Sequence, residues 1–284
     1  MFPANFDYYR AGSLAEAVTL LQRHPGAKIL AGGHSLVPAM KLRVSNPPAL
    51  VDIGRIADLK SITVANGQLT VGALCTHAEI ANSQAVKDNC GVLAQAAGQI
   101  GDQMIRTRGT IGGSLAHADP AADYPTVVRA LGGVITVFGP SGMRTINADS
   151  FFVDLFTTAL TDSEIITSIT VAANGAGTSG HYYKIPHPAS GYAVVGACAI
   201  VTKTDGVCSD VSVTVGGATA NPIRCTGVES TLNGQAASEA NISAAAAKVD
   251  ESVNATMGDQ YASTEYRAHL AAIAVKRALM AATA

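Results

Sequence analysis

Apolar positions recur with two different periods along this 284-residue chain, and the change of period marks out its elements. Ser13-Leu14-Ala15-Glu16 has the spacing of a capping box, and Val18, Leu20 and Leu21 follow before Pro25-Gly26 stops the run. Residues 14–24 are therefore predicted as an amphipathic helix. Lys28-Ile29-Leu30-Ala31 reads as a buried strand ending at Gly32-Gly33, and Leu50-Val51-Asp52-Ile53 as a second strand. Ile62-Thr63-Val64 and Leu69-Thr70-Val71 flank Asn66-Gly67, a dipeptide that tolerates the positive φ of a type I′ hairpin turn.

Thr76-His77-Ala78-Glu79 repeats the capping-box spacing at the head of a short helix, and residues 91–100 form a second Ala-rich helical stretch. Strand patterns follow at 134–138, 143–146 and 165–171, with Ser141-Gly142 as a turn. The small-residue run from Ala172 to Gly180 reads as a linker between domains. Beyond it, residues 192–203 and 207–215 alternate apolar and polar around Asp205-Gly206, a hairpin signal. Residues 238–250 and 263–281 are Ala-rich and helical, with Leu270, Ile273 and Leu279 assigned to the core.

Composition narrows the function. Hydrophobic residues make up 48% of the chain and charged ones 14%, a profile that supports a compact core and excludes disorder. The balance of 19 Lys+Arg against 21 Asp+Glu leaves no basic tract, so nucleic acid is excluded as a partner. No basic leader with an apolar core opens the sequence and no transmembrane segment is found, so a cytoplasmic protein is expected. Cys75, Cys90, Cys198, Cys208 and Cys225 are widely spaced with no Cys-x-x-Cys, as expected of buried thiols rather than a zinc or iron–sulfur site. The histidines lack metal-ligand spacing, and no nucleophile–base arrangement stands in a known local context.

Chemistry concentrates in two glycine-rich segments. Ala31-Gly32-Gly33-His34-Ser35-Leu36 follows a strand, and its missing Cβ atoms allow backbone amides to converge on an anion. Taken by itself it fits a ligand-free turn equally well. The second segment is more specific: Arg106-Thr107-Arg108-Gly109 leads into Thr110-Ile111-Gly112-Gly113-Ser114, and Asp119-Pro120-Ala121-Ala122-Asp123 follows. Here Gly112 and Gly113 permit close backbone approach, and the Thr110 and Ser114 hydroxyls add donors for phosphate oxygens.

With these motifs the chain resembles the FAD-binding medium subunits of carbon monoxide dehydrogenase and related molybdenum hydroxylases, homologous to the flavin domain of xanthine dehydrogenase. The resemblance implies an α+β fold: a two-lobed, VAO/PCMH-like FAD-binding domain over 1–175, with lobes of about 1–56 and 57–175, followed by a smaller C-terminal α+β domain over 181–284. It implies that residues 31–36 and 110–114 grip the diphosphate of a noncovalently bound FAD, with Ser114 where Asn is common. Asp123 matches a contact to the adenosine part, and Leu160 lies near the flavin ring. Thr76, His77 and Gly101 complete the expected cofactor set, although His77, just after the Thr76 cap, fits a satisfied surface histidine equally well. Lys184 and Tyr192 match contacts from the segment that returns from the C-terminal domain. An aromatic at 192 suits covering the isoalloxazine, although a strand-start aromatic also packs in ordinary hairpins.

The implied partners are a molybdenum-binding large subunit holding molybdopterin and an iron–sulfur small subunit holding [2Fe-2S] clusters, in a heterotrimer or a dimer of heterotrimers. Electrons would pass through FAD to NAD⁺, oxygen or a quinone, with no catalytic side chain needed in this chain. A stand-alone flavin oxidoreductase of the same fold and a cofactor-free scaffold are the rival readings. Gly175-x-Gly177-x-x-Gly180 fits a dinucleotide pattern, but His181–Pro188 carries two prolines where a helix would have to follow, so a linker is expected. His34 stands in a Gly-Gly-His context used for covalent flavin attachment elsewhere, whereas the resembled family binds noncovalently. His117 and Asp119 are read as loop scaffolding.

Overall fold

The computed structural model describes residues 1–253 and 257–284. The first unit is a small parallel sheet of β1 (Asp7–Arg10), β2 (Lys28–Leu30) and β3 (Ala49–Asp52), in the order β1-β3-β2. Helix Leu14–Arg23 makes the crossover that parallel strands require. Ser13 Oγ accepts the Glu16 amide as predicted, but the Glu16 carboxylate takes the Gly12 amide rather than that of Ser13, so the box is only half formed.

The second unit holds β4 (Ile62–Ala65), β5 (Gln68–Gly72), β6 (Val134–Gly139), β7 (Gly142–Asn147), the short hairpin of β8 (Phe152–Asp154) and β9 (Thr157–Thr158), and β10 (Ile165–Ala172). Five of these strands form an antiparallel sheet in the order β4-β5-β10-β6-β7. The Asn66-Gly67 turn has φ of 51° and 71°, as a type I′ turn demands. Thr76 and Glu79 form a complete capping box on helix His77–Asn82. Helix Gly91–Gln99 and helix Asp123–Ala130 bury Leu93, Ala96, Val127 and Val128 in the core of this unit.

The run from Ala172 to Gly180 is shorter as a connection than its composition suggests. Thr178 already begins β11 (Thr178–Pro186), and Thr178, Ser179 and Gly180 pair with Thr202, Val201 and Ile200. A strand, not a helix, thus follows the last glycine pattern. β11, β12 (Ala193–Thr204), β13 (Val207–Gly216) and β14 (Ile223–Arg224) form an antiparallel sheet in that order, with Asp205 and Gly206 at φ of 51° and 79° in the turn.

The predicted alternation in β12 is corrected by the structure, because Ala193 through Ala199 are all buried. Helix Thr264–Thr283 packs on this sheet, and helix Asp123–Ala130 of the second unit packs on it too. A strand covered on both faces has no solvent side to keep polar. Leu270 and Leu279 enter the core as expected, and Ile273 packs at its margin. Tyr182 and Cys198 of this sheet join the core of the preceding unit, tying the two together.

Candidate functional site: a cleft built from two glycine segments

β2 ends at Leu30, and the chain turns through Gly33 at φ of 76° into helix Leu36–Lys41. The Val37 amide bonds Gly33 O at 3.0 Å. Among the described residues, the amides of Gly32, Gly33, His34 and Ser35 donate to no protein acceptor, and all four residues line one cleft. Unpaired amides are costly in a folded chain unless water or a ligand takes them, so this turn offers donors ready for an anion. His34 is exposed and its Nδ1 lies 3.0 Å from Gly32 O, which orients the ring across the turn.

The second segment is organised differently. Ile111–His117 is a helix capped by Thr110, whose Oγ1 accepts the Gly113 amide at 3.2 Å. The Ile111 and Gly112 amides are also engaged, by Cys75 O at 3.1 Å and Ala73 O at 2.9 Å. Thr110 and Ser114 keep hydroxyl hydrogens for a ligand, so this segment contributes hydroxyls where the first contributes amides. Gly112 owes its identity to packing: a Cβ there would lie 2.6 Å from Ala73 Cβ and 2.8 Å from Ala73 O. A Cβ on Gly32 would overlap the Arg108 carbonyl, so the two segments touch through glycine.

The resulting cleft has a volume of about 700 Å³, within the range of cofactor pockets. It brings together Ala31, Gly32, Gly33, His34, Ser35, Leu36, His77, Gly101, Thr110, Gly112, Gly113, Ser114, Asp123, Leu160 and Tyr192 of the expected set. Three expected residues lie off its wall. Thr76 is used in its capping box, Ile111 is fully buried beneath the helix, and Lys184 is buried against Asp123 and Gln99. The sequence reading missed Phe156, Ser190 and Gly191, which also line the cleft. Phe156 sits at φ of 51° in the tight β8–β9 connection, a conformation that its sequence does not announce.

Polarity on the floor is set by burial. His77 is 5% exposed, its Nδ1 has no partner among the described residues, and its ring is tilted against Tyr124 at 5.3 Å. Burial, with His34 and Arg106 adding repulsion, lowers its pKa to about 4, so the imidazole is neutral at pH 7. His117 packs against Phe156 at 5.1 Å and Asp119 Oδ1 accepts the Ala121 amide at 2.9 Å, and both residues also line the cleft. All five cysteines are buried and free, and burial pushes Cys75 and Cys90 up to about 11 and Cys225 to about 12, away from thiolate reactivity.

A cleft of this volume, with an amide-rich turn from the small parallel sheet and a hydroxyl-bearing helix start from the larger unit, suits a phosphate-bearing cofactor. Residues 4–173 match the family described as the FAD binding domain in molybdopterin dehydrogenase, and residues 180–282 match the CO dehydrogenase flavoprotein C-terminal domain. The chain belongs to this family of FAD-binding medium subunits and is the FAD subunit of a molybdenum-containing oxidoreductase complex. It is 35% identical to the carbon monoxide dehydrogenase medium chain of Hydrogenophaga pseudoflava, over 100% of this chain and 99% of that one. It is 36% identical to the 6-hydroxypseudooxynicotine dehydrogenase complex subunit alpha of Paenarthrobacter nicotinovorans, over 98% and 95%. The fold superposes on Hydrogenophaga pseudoflava carbon monoxide dehydrogenase, in a form lacking the Mo-pyranopterin moiety of the molybdenum cofactor, with a TM-score of 0.96 over 99% of this chain and 98% of that one, at 35% identity.

Proposed function

We propose that this chain holds FAD noncovalently in the cleft, with the diphosphate on the free amides of Gly32, Gly33, His34 and Ser35. The observation that carries this reading is that those four amides lack protein acceptors while lining a cleft of about 700 Å³. The Thr110 and Ser114 hydroxyls add donors, and each hydrogen bond to a charged oxygen contributes about 1.5–3 kcal/mol. Neutral His77 forms the floor, Leu160 supplies an apolar contact, and half-exposed Tyr192 covers the flavin edge at the rim.

When bound, FAD supplies the redox chemistry, and the side chains of this chain bind, orient and shield it. In this reading an iron–sulfur small subunit and a molybdopterin-bearing large subunit that oxidises the substrate would stand upstream of the FAD held here, and an external acceptor would stand downstream. The medium-chain and complex-subunit names of the relatives support a multi-subunit assembly, which we read as a heterotrimer, single or doubled. Five free buried thiols favour the cytoplasm, and no helix among the described residues is long and apolar enough to cross a membrane.

Acid precipitation of the purified complex tests the first part. Yellow colour released to the supernatant is the expected result; colour retained in the pellet would show covalent attachment, with His34 the candidate residue, and a colourless protein without affinity for FAD would sink the reading. Co-purification with a Cys-rich chain and a molybdopterin-binding chain is expected, and full substrate turnover by the isolated chain would contradict the division of labour.

A further inference from the structure

The largely apolar seam between the C-terminal sheet and the flavin-binding unit holds one buried polar cluster, built around a residue on the cleft wall. Asp123 opens helix Asp123–Ala130, is 4% exposed and lines the cleft. Its Oδ1 accepts the Tyr182 hydroxyl at 2.7 Å, and Lys184 Nζ lies 3.0 Å from Oδ1 and 3.1 Å from Oδ2. The Lys184 side chain is itself 4% exposed and donates again to Gln99 O at 2.9 Å. Gln95 receives the Tyr182 amide at 2.9 Å and lies 3.2 Å from the His181 ring nitrogens. Gly196, paired with Lys184 across the sheet, leaves room for the Tyr182 hydroxyl, which a Cβ would overlap.

This arrangement controls more than a strand. Two residues beyond Lys184, β11 ends at Pro186 and enters a turn closed by His187 N to Tyr192 O at 2.7 Å and Gly191 N to His187 O at 2.8 Å. That turn carries Ser190, Gly191 and Tyr192 to the cleft. A buried ion pair adds little net stability compared with apolar packing, but a shifted docking would strand a charge in the interior, so the pair specifies one register. Asp123 faces the cleft on one side and the seam on the other. Any free energy by which a ligand favours this arrangement of the carboxylate favours the docked strand joined to it equally, because such coupling is reciprocal.

We propose that the Asp123–Lys184–Tyr182 triad couples occupancy of the cleft by FAD to docking of β11 and the 187–192 turn, each favouring the other. The inference rests on the FAD reading and deepens it: Lys184 is a positioning residue that acts through Asp123 and β11.

Hydrogen–deuterium exchange on the complex, stripped of FAD and then reloaded, tests the coupling. FAD is expected to slow exchange across residues 178–193. Tyr182→Phe, which leaves the ion pair in place, is expected to weaken FAD about tenfold and to lose most of that protection. Asp123→Asn combined with Lys184→Met leaves no lone buried charge, and is expected to fold yet show no FAD-dependent protection at 178–193. Wild-type complex that binds FAD with unchanged exchange there would overturn the coupling, as would a Tyr182→Phe complex with unchanged affinity and protection. Failure of FAD to bind wild-type complex would overturn the FAD reading itself, and the coupling with it.

Discussion

His77 shows how burial sets chemistry at a single residue. The unfolded chain binds a proton on this imidazole near its ordinary value of 6.5, while the folded chain resists protonation until about 4. Between those values the unfolded state holds more protons, so stability falls as pH drops through that window, by on the order of 3 kcal/mol in total. His77→Gln is expected to flatten the dependence of urea-unfolding stability on pH between 6.5 and 4; a profile as steep as wild type would place the acid sensitivity elsewhere. The glycines separate in the same way. Gly112→Ala drives a Cβ into Ala73, so it is expected to lower stability by about 1–3 kcal/mol while the folded fraction keeps FAD. Gly33→Ala strains a residue at φ of 76° within the amide cluster, and is expected to weaken FAD by more than its melting temperature predicts. Paired melts and FAD titrations check both; Gly112→Ala that loses FAD at unchanged stability would move the diphosphate to the second segment. From sequence the second segment looked like the stronger phosphate loop, because only coordinates reveal that its amides are spent on Ala73, Cys75 and Thr110.

Elements announced by local chemistry were legible, and those imposed by distant contacts were not. Asn66-Gly67 and Asp205-Gly206 fix their hairpins through residues that accept positive φ, and Thr76-x-x-Glu79 fixes a helix start through its own side chains. Helix Ile111–His117 has only a capping Thr110 to announce it, followed by Gly112 and Gly113, which are poor helix formers. It is held by Thr110 at its cap and by Ala73 and Cys75 against its first turn. Thr110→Val is therefore expected to cost about 1 kcal/mol of stability and to weaken FAD, because one hydroxyl serves cap and cleft. Thr110→Ser should retain both properties in denaturant melts and FAD titration; a valine variant with wild-type affinity would remove this hydroxyl from the binding set. The continuous burial of β12 was similarly hidden, because its second cover comes from helix Asp123–Ala130, more than sixty residues earlier.

At the scale of the whole molecule, the cleft joins segments from residues 27–36, 100–123, 156–166 and 190–192, which no single stretch of sequence brings together. The glycine motifs pointed to two stretches of its wall, and the resemblance supplied Leu160 and Tyr192. Neither signalled that Lys184 is withdrawn into an inter-domain ion pair, because its partner lies 61 positions away. A structure of the complex loaded with FAD measures the central claim directly. Diphosphate oxygens within about 3 Å of the amides of Gly33, His34 and Ser35, with the Thr110 hydroxyl alongside, are the result expected here. A diphosphate seated away from those amides, leaving all of them to water, would contradict the account.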